Sequence, residues 1–265
     1  MPKGQKLEAI HALRKLRGPR FKPENQECLD IEEVFACDPT PHLHVFLALL
    51  VHCLQQLSGI NMIIFYAPAL LADSGLVISS ASSFLFIAGL QVVVTFASVS
   101  FMDVVGRRRL LTVSSMVCIF ALLTIGAYYH AASSEGQSLG RYSGLLPVIL
   151  LGLYMTGYSI GLGPVVWLLG VELVPCRGRG LLLGLVTAFN WACVLLVTWV
   201  FESLREQYHF SGLGWFFSSA TFVGALAVNY FLPETKGLSL EEILLEAFYD
   251  VAEYADAQAA SVKKE

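Results

Sequence analysis

The residues best suited to bind a ligand are side-chain amides that lie inside a long apolar stretch. Gln55, Gln56 and Asn61 stand there without charged neighbours, and Gly59 separates the first two from the third. An amide in hydrocarbon costs free energy unless a partner or a water-filled cavity receives it. Because a neutral amide both donates and accepts hydrogen bonds, this set suits a ligand rich in hydroxyl groups. The alternative interpretation is that the amides hold neighbouring helices together.

A second irregular sequence, Gly161-Leu162-Gly163-Pro164, interrupts another apolar run. Proline removes a backbone donor and glycine lowers the cost of distortion, so this run cannot remain a regular helix. Irregular backbone at membrane depth belongs where it borders a cavity. Trp167 follows in the middle of the run, which favours a place at that cavity over one at the membrane surface. We therefore expect two broken helices, the other one breaking near Gly59.

The composition predicts an integral membrane protein. Of 265 residues, 55% are hydrophobic and only 14% are charged, whereas a soluble domain carries roughly 25% charged residues. The six cysteines are scattered without metal-ligand spacing, and no Ser-His-Asp, His-Glu-x-x-His or Cys-His set is evident. We therefore expect no enzyme activity and no metal or other cofactor. The basic residues form only short clusters, so we expect no nucleic-acid partner either.

Six runs free of Asp, Glu, Lys and Arg are long enough to cross a bilayer, which takes about 20 residues. These runs are 39–72, 74–102, 110–134, 142–171, 180–201 and 207–233. With a cytoplasmic N-terminus, 15 of the 17 basic residues lie inside, and only Arg141 and Arg205 fall in outer loops. Both termini are then cytoplasmic. The predicted fold is all-α: a cytoplasmic linker helix and connector at 1–38, a six-helix transmembrane bundle at 39–233, and a cytoplasmic C-terminal helix and tail at 234–265.

Charged residues gather at the predicted cytoplasmic ends of the spans. Asp103 precedes a turn that contains Arg107 and Arg108, at a spacing that allows ion pairs. Arginines in such a turn can also act simply as topology anchors. Glu172 closes the fourth run, and Glu234 follows the sixth.

Taken together, these motifs resemble the sugar porter family of the major facilitator superfamily. The motifs that carry the resemblance are Gln55-Gln56-Leu57-Ser58-Gly59-Ile60-Asn61, Asp103 with Gly106-Arg107-Arg108, Gly161-Leu162-Gly163-Pro164 with Trp167, Glu172 with Pro175 and Arg179-Gly180, Asn190-Trp191, and Pro233-Glu234-Thr235-Lys236-Gly237. The family has twelve spans in two six-helix halves, so the resemblance, over residues 3–248, implies that this chain corresponds to the C-terminal half. The implied partners are a lipid bilayer and either a missing N-terminal half or a full-length relative.

The resemblance also implies a role for each matching position. The positions implied to contact the sugar are Gln55, Gln56, Asn61, Gln91, Trp167, Asn190 and Trp191. Gating is implied for Phe65, Tyr66, Gly161, Gly163 and Pro164. An inner ion-pair network that stabilises the outward-facing state is implied for Asp103, Arg107, Arg108, Glu172, Arg179 and Glu234.

The implied activity is transport of a monosaccharide or disaccharide, hexose or trehalose, by alternating access as facilitated diffusion. The implied location is the plasma membrane, with an intracellular membrane as the alternative. Three positions depart from the family pattern: Gln91 replaces a common Asn, Ser159 replaces the Glu of the best-known hexose sites, and Val166 replaces a second proline. The Ser159 pattern is similar to the branch with insect trehalose facilitators, which argues against simple glucose selectivity. The alternative function is that of a half-transporter that does not transport, as an isoform or regulatory partner of a full-length relative.

Overall fold

The computed structural model describes residues 41–72, 80–134, 145–174 and 179–237. The predictions for the linker helix and connector at 1–38 and for the tail beyond residue 237 lie outside these residues. The described helices belong almost wholly to one compact unit, His44–Gly237.

The described chain is all-α, as predicted. Its helices are α1 (Pro41–Leu57), α2 (Ile60–Ala72), α3 (Ser80–Val105), α4 (Arg107–Ser134), α5 (Leu146–Ile160), α6 (Pro164–Glu172) and α7 (Arg179–Phe231). Six stretches within them are long and apolar enough to cross a membrane: Leu43–Ala67, Ala81–Val105, Arg107–Ala131, Leu146–Glu172, Arg179–Phe201 and Ser211–Phe231. These stretches coincide with the six predicted runs, because only charge-free segments of that length can be stable in hydrocarbon.

The first predicted break separates α1 from α2 at Ser58 and Gly59. Gly59 has φ +80°, a conformation that side-chain-bearing residues rarely adopt. Its N–H bonds the Gln56 carbonyl at 3.1 Å, which tightens the last turn of α1. The chain thus crosses as one span with an irregular turn beside the three amides, and the prediction of a break near Gly59 is confirmed.

The second predicted break separates α5 from α6 at residues 161–163, and Pro164 begins α6. Proline is favourable there because a backbone N–H in the first turn of a helix has no intrahelical partner, so its absence breaks no helical bond. The Gly163 N–H bonds the Tyr158 carbonyl at 2.9 Å, and the Val165 N–H bonds the Gly161 carbonyl at 2.9 Å. The prediction of a broken fourth span is also confirmed.

The last two predicted spans form one helical run, α7, where the sequence predicted a loop around Arg205. The run must still reverse direction. Asn190 bonds Gln56 at 2.7 Å, and Thr221 bonds the carbonyl of the next residue, Leu57, at 3.5 Å. In a straight helix Asn190 and Thr221 would lie roughly 46 Å apart at 1.5 Å per residue, too far for both to contact adjacent residues. The connection predicted around Arg205 lies between the two spans, but it is helical, so the reversal takes place within the helical run.

Helix α4 lies between α5 and α7, and its contact with α7 is very close. At the crossing, a Cβ placed on Gly214 would lie 2.9 Å from the Gly126 Cα. Small residues let helices approach to backbone contact in a membrane, where packing rather than hydrophobicity drives association. In contrast, α3 and the Arg179–Phe201 part of α7 leave most of their side chains exposed.

Candidate functional site

Three amides meet where the irregular turn of the first span faces α7. The Gln56 Nε2 donates to Asn190 Oδ1 at 2.7 Å, and the Asn61 Nδ2 donates to Gln56 Oε1 at 2.5 Å. Gln56 and Asn190 are almost completely buried. The Gly59 turn makes this possible, since it brings Asn61 of α2 back towards Gln56 of α1. We call Gln55, Gln56, Asn61 and Asn190 the amide cluster.

Gln55 reaches the other break. Its Nε2 donates to the Leu162 carbonyl at 2.8 Å and lies 3.4 Å from the Gly163 carbonyl. The Leu162 carbonyl lies in the α5–α6 break, outside both helices, whereas Gly163 is the N-cap of α6. The Gln55 Oε1 in turn lies 3.5 Å from Gln56 Nε2, so the amide cluster joins both irregular segments.

Ser58 and Tyr154 support the irregular turn from outside the predicted set. The Tyr154 hydroxyl donates to the Ser58 carbonyl at 2.9 Å, and the Ser58 hydroxyl donates to the Gln55 carbonyl at 2.6 Å. Both side chains are fully buried. In the sequence, Tyr154 stands out only as a tyrosine ahead of the second break. Its bond to Ser58 could not be inferred, because the two residues lie 96 positions apart.

The structure does not bring the three remaining predicted sugar contacts into the amide cluster. Trp191 is 63% exposed, although the adjacent Asn190 is buried, because successive helical residues point about 100° apart. Trp167 is 43% exposed and packs edge-on against His52, with ring centroids 5.3 Å apart. Gln91 is half-buried and makes no hydrogen bond within the described part of the chain.

The predicted gating residues divide into two groups. Gly161, Gly163 and Pro164 form the break itself. Tyr66 packs on Phe201, with ring centroids 4.3 Å apart, whereas Phe65 is exposed. The Tyr66 contact therefore joins α2 to the end of the fifth span.

Four of the six predicted ion-pair residues converge at one end of the bundle, which we call the charged end. Arg107 contacts Asp103 at 2.9 Å and Glu172 at 3.2 Å. Glu234 accepts a hydrogen bond from the Arg107 backbone N–H at 2.9 Å, beside Gly106 with φ +98°. A carboxylate at the first turn of α4 also interacts favourably with the helix dipole.

The other two predicted network residues, Arg108 and Arg179, bind backbone carbonyls instead. Arg108 donates to the Asn229 carbonyl and Arg179 to the Val174 carbonyl at 3.2 Å, and neither contacts a carboxylate in the ranges that the structure describes. The spacing of charges in the sequence could not show which arginine pairs with Glu172, because that depends on which side of the helix faces it.

Three residues that sequence reasoning missed complete the charged end. The Thr235 hydroxyl donates to Glu172 Oε2 at 3.0 Å, which leaves both Glu172 oxygens engaged. The Thr112 hydroxyl lies 2.7 Å from Asn229 Oδ1. Thr235 lies in one of the motifs of the family resemblance. Asn229 lies in none of them, and its partner Thr112 could not be predicted because it is set by the packing of α4 on α7.

Six membrane-length helices, two of them broken beside buried amides, define a multi-pass membrane protein with the architecture of one half of a major facilitator. The family model "Sugar (and other) transporter" matches residues 3–246, and the chain belongs to that family. It is 34% identical over 256 residues to the facilitated trehalose transporter Tret1 of Bombyx mori, a match that covers 91% of this chain and 50% of the relative. Tret1 of Aedes aegypti is 35% identical over 189 residues, which are 71% of this chain and 23% of the relative.

Among solved structures, the fold is similar to the proton:xylose symporter XylE bound to 6-bromo-6-deoxy-D-glucose. The TM-score is 0.72 at 20% identity, over 93% of this chain and 52% of XylE. An inward-open XylE from E. coli gives a TM-score of 0.64 at 22% identity. The chain thus spans about half the length, or less, of the relatives it matches.

Proposed function

We propose that this chain is the C-terminal half of a transporter that moves a neutral sugar, hexose or trehalose, by alternating access without a covalent step. The observation that carries the proposal is the amide cluster, four uncharged side chains at both breaks of a membrane bundle. Neutral donors and acceptors can bind and release hydroxyl groups without the desolvation cost of a buried charge. The trehalose transporters among the relatives support the same substrate class.

In this proposal the amide cluster binds the sugar, and Gln91, Trp167 and Trp191 complete the site against the other half of the transporter. Facilitated diffusion needs no partner ion or cofactor, only a site that opens to each side in turn. Phe65 and Tyr66 would close the site on one side. The Arg107 contacts with Asp103 and Glu172 would hold the charged end shut until the site turns towards it.

We propose that the charged end faces the cytoplasm, with both termini on that side, in the plasma membrane or alternatively an intracellular one. The support is the distribution of basic residues, 15 of 17 on one predicted side. Protease protection of a tag at either terminus in sealed cells tests this orientation.

A second candidate is a half-transporter that does not transport alone and acts on a complementary half or a full-length relative. The observation that favours it is the exposure of α3 and of the Arg179–Phe201 part of α7. Phe96 and Trp191 lie exposed there, and Trp191 directly follows Asn190 of the amide cluster in the sequence. A sugar bound by one half alone would face lipid, so this surface needs a cover before a closed path exists.

Uptake of radiolabelled trehalose and glucose by proteoliposomes distinguishes the two candidates. We expect saturable uptake when the chain is co-reconstituted with the N-terminal half of the Bombyx mori relative, and its loss in Gln56→Ala but not in Thr124→Val. Saturable uptake by the chain alone would refute the second candidate. Absence of both binding and uptake for every sugar tested, with or without the other half, would refute the proposed function.

A further inference from the structure

The peptide groups of Leu162 are held from two sides by two different helices. Its N–H donates to the Ser114 hydroxyl of α4 at 2.9 Å, and its carbonyl accepts from Gln55 of α1 at 2.8 Å. Leu162 lies in the irregular turn between α5 and α6, where neither group has a helical partner. The position of the break is therefore set by two side chains distant in sequence.

Ser114 is a fixed support. Its hydroxyl donates to the Gly157 carbonyl at 2.6 Å while accepting from the Leu162 N–H, so one side chain satisfies a donor and an acceptor that the break leaves open. Ser114 is fully buried, and a Cβ placed on Gly161 would lie 2.8 Å from the Ser114 Cβ. A side chain with so little room and two bonds to the broken span cannot move without breaking them.

Gln55 is an exchangeable support. Its side chain has three rotatable bonds, and its Nε2 hydrogens face the Leu162 carbonyl at 2.8 Å and the Gly163 carbonyl at 3.4 Å. A sugar hydroxyl that accepts from Gln55 has to compete with these two carbonyls. Loss of the Gln55 bond leaves the Leu162 carbonyl without a partner, whereas the Ser114 bond to the N–H remains.

We propose that Ser114 is a positioning residue that fixes the pivot of α6, and that sugar displaces the Leu162 carbonyl from Gln55 and so releases α6 about this pivot. The proposal rests on the proposed function, because it takes Gln55 as a sugar ligand. It assigns to α4, which carries no predicted sugar contact, the role of defining where the broken span bends. A sugar that binds Gln55 only after the bond to the Leu162 carbonyl is broken has different affinities for the two arrangements of α6, and such a difference shifts a conformational equilibrium.

Hydrogen–deuterium exchange of peptides that span the break tests the pivot in the full chain in nanodiscs. Ser114→Ala removes the acceptor of the Leu162 N–H, and Ser115→Ala is the matched control, because the Ser115 hydroxyl is equally buried and has no partner among the described residues. We expect exchange at Leu162 and Gly163 to rise on the order of fivefold in Ser114→Ala. Unchanged exchange in Ser114→Ala, or an equal rise in both variants, overturns the pivot.

Trehalose and glucose added to the wild-type chain test the displacement, with radiolabelled sugar binding measured on the same sample. We expect sugar that binds to raise exchange at Leu162 and Gly163 in the wild type, and to add little in Ser114→Ala. Binding without any rise in exchange overturns this proposal and leaves the proposed function intact. No binding by any sugar, with or without the complementary half, overturns the proposed function and this proposal with it.

Discussion

The side-chain amide of Gln56 donates to the side-chain oxygen of Asn190 across 2.7 Å and joins helices whose residues are 134 positions apart. Both side chains lie away from lipid, and Asn61 shares the same Gln56 amide group. The contact shows that these amides connect helices, which is one of the two interpretations that the sequence left open; the other, binding of a hydroxylated ligand, is the proposed function.

Gln56→Ala and Asn190→Ala are expected to be non-additive. Each single change leaves a buried partner unsatisfied, which costs about 1–3 kcal/mol. The pair should show a coupling between about 0.6 kcal/mol, the average found between membrane helices, and about 1.7 kcal/mol, the maximum. Reversible unfolding in mixed micelles of both single variants and the double variant measures it.

The same variants should weaken sugar binding, while Gln91→Ala, which breaks no hydrogen bond among the described residues, should leave stability unchanged. Additive unfolding energies would contradict a direct Gln56–Asn190 interaction in solution.

The two acidic partners of Arg107 should differ in their contribution to stability. Asp103 is 82% exposed at its side chain and Glu172 only 11%. Asp103→Asn should therefore cost less than about 1 kcal/mol, as exposed ion pairs do. Glu172→Gln leaves Arg107 partly buried without its inner partner and should cost about 3 kcal/mol.

Thermal melting of the detergent-purified variants measures this difference, with the wild type at the same salt concentration. Added salt should reduce the Asp103 contribution more than that of Glu172, because buried pairs are screened less. Equal melting temperatures for the two variants would mean that the exposed and the buried carboxylate contribute alike.

Gly214→Ala should destabilise the contact between α4 and α7. The added methyl would lie 2.9 Å from the Gly126 Cα, so the helices would have to separate, at a cost of about 1–3 kcal/mol. Gly184→Ala is the control on the same helix, since nothing lies within 4 Å of its added Cβ. It should be neutral or stabilising by up to about 1 kcal/mol through helix propensity. Circular dichroism during unfolding compares the two, and a neutral Gly214→Ala would show that the crossing is looser than described.

Thr112→Val should destabilise the charged end, whereas Thr124→Val on the same helix should not. Thr112 bonds Asn229 of α7 at 2.7 Å, but Thr124 bonds only the Phe120 carbonyl of its own helix at 2.7 Å. The loss of a partly buried interhelical bond should cost about 1 kcal/mol. Differential scanning fluorimetry of both variants checks this, and matching shifts would remove Asn229 from the contact.

The sequence predicted the six spans and both breaks, because hydrocarbon excludes charge, and Gly59 and Pro164 cannot continue a helix. It predicted the approach of Asn190 to Gln56 only through the family resemblance. It could not predict that Gln55 bonds the Leu162 carbonyl, since the order of side chains does not show which backbone carbonyl lacks a helical partner at a break. The bond from Arg108 to the Asn229 carbonyl could not be predicted for a related reason: the helical phase that joins the two residues depends on how α4 packs on α7.

Glu234 caps the first turn of α4 although 127 positions separate it from Arg107. A ribosome completes residue 107 before it reaches residue 234, so the Gly106 turn is made before its carboxylate. Glu172, the inner partner of Arg107, is made between the two. The acidic groups of the charged end therefore become available one after another during synthesis: Asp103 before Arg107, Glu172 after it, and Glu234 last.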